Sequence, residues 1–182
     1  MKLADEQYED IKKAIIDTFI EYGVRCVPIN AFEMACKMGI KMVPYSALTE
    51  IQRRGAIKRS ADGFSIEKND YQWIIYYNDS CNSYGRVNQT IMHEIGHYVL
   101  GHIDEGDEEE SEAKFFAKYA LAPPPLVHCM KVEKTPENIM DVFDISYEAA
   151  INAYKYYQSW MKYGEKEYTK YELQLLELFR AA

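Results

Sequence analysis

Apolar residues recur along most of the chain at the spacing of an amphipathic helix. Between residues 5 and 22 they stand three or four positions apart, and Gly23 follows where a helix could end. Asn30 followed by Glu33 indicates the start of a short helix that Gly39 closes. The same reasoning predicts helices over about 46–54, 88–100, 113–121, 136–142, 146–162 and 166–180.

Extended structure is predicted in one limited part of the chain. Residues 63–66 and 73–77 are rich in aromatic and β-branched residues and flank the turn-forming Lys68-Asn69-Asp70, which indicates a hairpin. Met42 and Val43 suggest a further short strand. We therefore expect an α+β fold of the zincin-like type, in which a small antiparallel sheet packs against the helix at 88–100. An all-helical C-terminal region would follow.

Three consecutive prolines, Pro123 to Pro125, must end the preceding helix. They suggest a division into residues 1–126, which hold the sheet and its helices, and a helical region at 127–182. Residues 137–151 have the pattern of a helix-turn-helix. Residues 145–160 contain only Glu148 and Lys155 as charged residues, whereas a helix that binds DNA normally carries several arginines or lysines. We expect this region to pack on the core, and DNA binding is the weaker interpretation.

The charge of the chain is concentrated in one segment. Of the nine residues from Asp104 to Glu112, seven are acidic, and removing these seven charges from the total of −8 leaves −1. The net charge argues against non-specific binding to nucleic acid or anionic lipid, but its concentration in one segment weakens that argument. Carboxylates in such a segment are typically solvated, and they favour the start of a helix.

The cysteines and the apolar stretches limit the class of protein to which the chain can belong. The four cysteines show no CxxC spacing, which indicates neither a thiolate zinc site nor a disulfide framework. No signal peptide is recognisable at the N-terminus, and no apolar stretch approaches the length of a membrane span. These features predict a cytoplasmic protein with no membrane partner.

The helix predicted at 88–100 carries the most specific chemical pattern. His93-Glu94-Ile95-Gly96-His97 matches HExxH, in which two histidines four residues apart share one helix face and can bind one zinc ion. Glu94 can accept a proton from water as that water attacks a carbonyl, and the ion lowers the pKa of the water toward about 7. A single buried histidine is usually a hydrogen-bonded core residue, but this pair with its glutamate is difficult to explain in that way.

A catalytic zinc site needs a third protein ligand. His102 follows His97 by five residues, one position short of the extended metalloprotease motif, and is better explained as a polar residue at the helix end. Glu112 precedes Phe115 and Phe116 on the apolar stripe of the next helix, which favours it as the ligand. Glu109, one turn earlier, and Glu108 are the alternatives.

These motifs together resemble the ImmA/IrrE family of metallopeptidases, over about residues 64–125. The resemblance covers the hairpin ending at residues 74–78, the HExxH segment at 93–97, residues 100–102, and residues 112–117 leading into Ala122-Pro123. It implies that zinc is held by His93, His97 and Glu112, and that Glu94 is the catalytic base.

The resemblance also implies a function. Family members cleave a repressor that carries a helix-turn-helix domain, or regulators of stress responses. We therefore predict a zinc-dependent, site-specific endopeptidase whose protein substrate is a repressor of the phage or mobile-element type. The alternatives are a non-catalytic metal-binding regulator or adaptor, and a DNA-binding regulatory protein.

Overall fold

The structure of the chain is a computed structural model, and it describes residues 2–68, 72–80, 83–103, 106–164 and 167–180. The helices are α1 (Asp5–Tyr22), α2 (Ala31–Lys37), α3 (Glu50–Arg59), α4 (Tyr84–Leu100), α5 (Asp107–Leu121), α6 (Pro124–His128), α7 (Pro136–Phe143), α8 (Tyr147–Tyr163) and α9 (Lys170–Arg180), with a 3₁₀ turn at Tyr45–Ala47. The strands are β1 (Lys41–Pro44), β2 (Gly63–Lys68) and β3 (Gln72–Tyr77). None of the described helices is long and apolar enough to cross a membrane.

The three strands form one mixed sheet in the order β1-β3-β2. The predicted hairpin is confirmed, because β2 pairs antiparallel with β3, with Phe64 opposite Tyr76 and Ile66 opposite Ile74. Two residues of its predicted turn, Asn69 and Asp70, lie outside the described residues. β1 joins the other edge of β3 in parallel, so the sheet is not purely antiparallel as expected. The chain is α+β, with a helical C-terminal region.

Capping residues account for the helix ends that could be read from sequence. Gly23 and Gly101 follow α1 and α4 at φ +64° and +69°, a conformation that favours glycine and that satisfies the last carbonyls of each helix. Asn30 accepts a hydrogen bond from the Glu33 N–H at the start of α2. The chain reverses between α7 and α8 at Asp144, which has φ +49°.

Four helices begin four to six residues away from their predicted starts, and one of them, α9, begins at Lys170 rather than near residue 166. α3 starts at Glu50 because Thr49 caps it, after the 3₁₀ turn that follows Pro44. α4 starts at Tyr84, capped by Ser83, four residues before Asn88. α5 starts at Asp107, so most of the acidic run belongs to its first turns, where carboxylates interact favourably with the helix dipole.

The core lies around α4 and joins both parts of the chain. Ile91 and Ile95 of α4 are fully buried in one apolar cluster with Phe19 of α1, Phe116 of α5 and Leu175 of α9. The predicted division at residues 126 and 127 remains a prediction, because a shared core does not establish how the regions fold.

A buried amide fixes the start of α4 against α2. The Asn88 side chain is 1% exposed; its Oδ1 accepts from the Ala31 N–H at 2.7 Å and its Nδ2 donates to the Ile29 carbonyl at 3.0 Å. Both polar ends of the side chain are therefore satisfied inside the core. This contact helps set the position of the helix that carries the two histidines.

Candidate metal centre

α4 presents His93 and His97 one helical turn apart on the same face. Their Nε2 atoms lie 3.2 Å from each other, and the side chains are 19% and 8% exposed. Burial lowers the pKa of His93, and burial together with the neighbouring His93 and His102 lowers the pKa of His97 to about 4. Both rings are therefore neutral near pH 7, which is the state in which imidazole binds a metal.

The third group at this point is Glu110 of α5. Its Oε1 lies 3.6 Å from His93 Nε2 and 3.4 Å from His97 Nε2. Among the described residues, these three form the cluster of potential ligands that could hold one ion. Four ligands held about 2.0–2.1 Å from zinc are about 3.3–3.4 Å apart at the edges of a tetrahedron. The three donor atoms have nearly that spacing, so the residues fit a zinc ion.

Glu110 is kept in its charged form by its surroundings. Burial by itself would raise the pKa of this carboxyl, but the hydrogen bond from Lys114 and the positive charge of Lys114 lower it overall. Lys114 Nζ is 3.1 Å from Oε2 of Glu110, whereas the closest contacts with the two histidines are made by Oε1. The carboxylate is thus ready to bind a cation through Oε1 while Lys114 holds its other oxygen.

Glu94 lies beside this cluster with its carboxylate against the sheet. Its side chain is buried, and its Oε2 accepts a hydrogen bond from the Ser65 hydroxyl of β2 at 2.6 Å. The sequence pattern did not single out Ser65. A hydroxyl on an edge strand becomes relevant only once the hairpin is seen to pack against α4.

Glu112 occupies a different environment from the one predicted for it. Its Oε2 is 2.9 Å from His102 Nε2, and its Oε1 accepts a hydrogen bond from Gln7 at 3.0 Å. His102 in turn lies with Nδ1 2.9 Å from Nδ1 of His97. In the structure, His93, His97 and Glu110 lie close enough together that they could hold one ion, and Glu94 lies beside them. Glu112 as a ligand remains a prediction from the resemblance.

Glu110 did not stand out in the sequence because it is one of seven clustered acidic residues. A signal for it does exist in the small residues that follow it. Ala113 and Ala117, three and seven positions later, are fully buried, which marks the side of α5 that can approach another helix closely. Glu110 lies on the same side of α5, three residues before Ala113.

The cluster opens into a cleft of about 1200 Å³. One wall is the edge strand β2, including Phe64 and Ser65, and another is the start of α8, including Glu148 and Asn152. The cleft is also lined by His93, Glu94, His97 and Glu110. The volume exceeds that of usual pockets for small ligands, which are about 300–1000 Å³, and is sufficient for a segment of polypeptide.

Two neutral histidines and a carboxylate with nearly tetrahedral spacing, beside a buried glutamate in an open cleft, define a candidate metallohydrolase site. The chain matches the IrrE N-terminal-like domain family, Peptidase_M78, over residues 42–155, and it belongs to that family. The match extends from β1 into α8 and so includes every element of the site. No curated protein matches the chain.

Proposed function

We propose that this protein is a zinc-dependent endopeptidase that cleaves a partner transcriptional repressor at a specific site and so relieves repression. The observation that carries the proposal is the cluster of His93, His97 and Glu110 next to Glu94, in a chain of a peptidase family. The choice of zinc rests on the donor set of two imidazoles and one carboxylate, which is typical of catalytic zinc. The repressor, of the phage or mobile-element type, rests on the family resemblance, whereas a cytoplasmic location rests on the scattered cysteines.

The residues divide the chemistry between them. Bound zinc would polarise the scissile carbonyl and make water more acidic. Glu94 would take a proton from the attacking water and return it to the leaving amine. Ser65 donates a hydrogen bond to one oxygen of that carboxylate and so restricts its rotation. The cleft, which β2 and α8 both line, supplies room for a polypeptide segment next to the cluster.

Replacement of Glu94 by glutamine tests the proposal. The substitution keeps the size of the side chain and leaves the three ligands in place. We expect about one zinc per chain in wild type and variant, and a loss of cleavage of at least about 100-fold, because general acid–base catalysis contributes roughly 10²–10⁴. Zinc is measured by elemental analysis, and cleavage of a purified helix-turn-helix repressor by mass spectrometry.

Glu133→Gln is the matched control, because Glu133 is exposed and lies outside the residues that line the cleft. It should cleave as wild type does. Cleavage by Glu94→Gln at the wild-type rate would overturn the assignment. Full biological activity of protein freed of zinc by a chelator would favour a non-catalytic adaptor. A salt-dependent mobility shift on DNA would favour a DNA-binding regulator.

A further inference from the structure

A second set of hydrogen bonds extends from the rear of the metal cluster into the protein. His97 Nδ1 lies 2.9 Å from His102 Nδ1, and His102 Nε2 lies 2.9 Å from Glu112 Oε2. The His102 side chain is 7% exposed and Glu112 is 20% exposed, so water has little access to these contacts. The three groups form a continuous chain that ends at the ring of a candidate ligand.

Proton positions along this chain follow from its two ends. An ionised carboxylate can only accept, so His102 must carry its proton on Nε2 and donate it to Glu112. When the His102 ring carries this single proton, its Nδ1 bears a lone pair and accepts, so His97 carries its proton on Nδ1. The Nε2 of His97, which faces His93 and Glu110, is left with its lone pair available to a metal.

The far end of the chain is held in place by α1. Gln7 donates through Nε2 to Glu112 Oε1 at 3.0 Å and to Glu108 Oε1 at 2.6 Å, while its own Oε1 accepts from the Ala4 N–H at 2.8 Å. His102 is set by the turn at Gly101, through a bond from its N–H to the His97 carbonyl at 3.0 Å. Both supporting side chains are therefore fixed by backbone or by a neighbouring helix.

We propose that His102 and Glu112 are positioning residues that fix the orientation and the tautomer of His97 so that its Nε2 binds the metal. This inference rests on the proposed metal site and assigns Glu112 a supporting place behind the ligands. Residues that hold a ligating histidine in this way typically change metal affinity by 10–100-fold when they are replaced. A direct ligand is expected to contribute more.

Zinc affinity of purified variants, measured by competition with a chelator, tests the proposal. We expect Glu112→Gln and His102→Leu each to weaken zinc binding about 10–100-fold while still taking up one zinc at saturation. Because Glu112 acts only through His102, the double variant should bind zinc no more weakly than His102→Leu alone. His102→Gln, whose amide retains one acceptor and one donor, should recover part of the affinity.

Glu108→Gln provides a matched control, because Glu108 lies on the same helix and accepts from the same Gln7 without contacting His102. Its zinc affinity should equal that of wild type. Thermal unfolding of each metal-free variant shows whether it is folded. If Glu112→Gln abolishes zinc uptake as His97→Ala does, Glu112 is a direct ligand and the proposal fails. Independent, multiplying effects in the double variant also overturn it.

Nitrogen NMR of metal-free protein gives a readout that needs neither zinc nor peptidase activity. At slightly alkaline pH, we expect the proton of His97 on Nδ1 and that of His102 on Nε2, and a mixture of His97 tautomers in Glu112→Ala. The opposite tautomer of His97 in the wild type overturns the inference. If wild-type protein has these tautomers yet binds no zinc, the proposed function fails while the hydrogen-bonded chain stands.

Discussion

Ser65 connects the sheet to the chemistry of the site through a single hydrogen bond. Its hydroxyl donates to Glu94 Oε2 at 2.6 Å, and a bond to a charged group contributes about 1.5–3 kcal/mol. Ser65→Ala would allow the Glu94 carboxylate, which we propose as the catalytic base, to turn away from the attacking water. We expect kcat for repressor cleavage to fall about tenfold or more, since 1.36 kcal/mol corresponds to a factor of ten. Steady-state kinetics and zinc analysis measure the two effects separately.

Ser65→Thr keeps the hydroxyl and is the control for that substitution. It should retain most of the wild-type kcat, and both variants should hold one zinc. An unchanged kcat in Ser65→Ala would show that the bond does not orient Glu94. A loss of zinc would instead assign Ser65 to the stability of the metal site.

At the residue scale, sequence alone could predict two candidate ligands and a candidate base, because all three belong to one short motif on one helix. Which glutamate of α5 faces the two histidines depends on how α5 is rotated against α4. Glu110 and Glu112 are two residues apart, which separates them by about 200° around the helix axis. Their carboxylates therefore leave α5 in different directions, one to the histidine Nε2 atoms and one to His102. The order of residues within α5 does not show how that helix is rotated against α4.

At the scale of elements, the site depends on the close approach of α4 and α5. At Gly96, an added Cβ would lie 3.1 Å from Cβ and Cγ of Phe116, which is tighter than ordinary packing allows. Gly96→Ala should push the two helices apart, because the added Cβ would press against the fully buried ring of Phe116. We expect a loss of about 1–3 kcal/mol in the free energy of unfolding, measured in urea, and weaker zinc binding.

The same substitution at Gly55 of α3 should have the opposite effect on the free energy of unfolding. It is exposed, and nothing lies within 4 Å of an added Cβ. Gly55→Ala should stabilise the protein by up to about 1 kcal/mol through helix propensity alone. Equal stability changes at the two glycines would contradict the packing explanation for Gly96.

The elements that sequence predicted well are those with local start and stop signals. α1 ends before Gly23 and α2 begins after Asn30, as their capping residues require. The first turns of α5 carry no apolar periodicity, so their helical state had no local signal beyond their charge. The parallel pairing of β1 with β3 joins segments about 30 residues apart, and its direction depends on the intervening chain. The direction of such long-range strand pairing depends on how the whole domain packs.

At the scale of the whole molecule, the C-terminal helix closes the core against the first helix. Leu175 of α9 is fully buried in the same cluster as Phe19, and the Tyr171 hydroxyl donates to Glu9 Oε2 at 2.7 Å. Leu175→Ala leaves a cavity in that cluster. We expect the free energy of unfolding to fall by about 2–5 kcal/mol, measured by urea titration with both fluorescence and circular dichroism.

Leu173, on the same helix, is 48% exposed and supplies the matched control. Leu173→Ala should change stability by no more than about 0.5 kcal/mol. Coincident transitions in the two signals would show that residues 127–182 unfold together with the rest of the chain. If Leu175→Ala alters only an early, separate transition, the predicted division at residues 126 and 127 corresponds to two independent folding units.

The contact between Gly96 and Phe116 also bears on which ion the protein can accept. By fixing how near α5 comes to α4, it sets the 3.4–3.6 Å between Glu110 Oε1 and the two histidine nitrogens. Calcium needs six to eight oxygen ligands at about 2.3–2.6 Å, whereas zinc is satisfied by four ligands at shorter distances and accepts nitrogen readily. If the cluster holds an ion as we propose, a glycine with no chemical role of its own would thus help it to favour zinc over calcium through the number, type and spacing of the donor atoms.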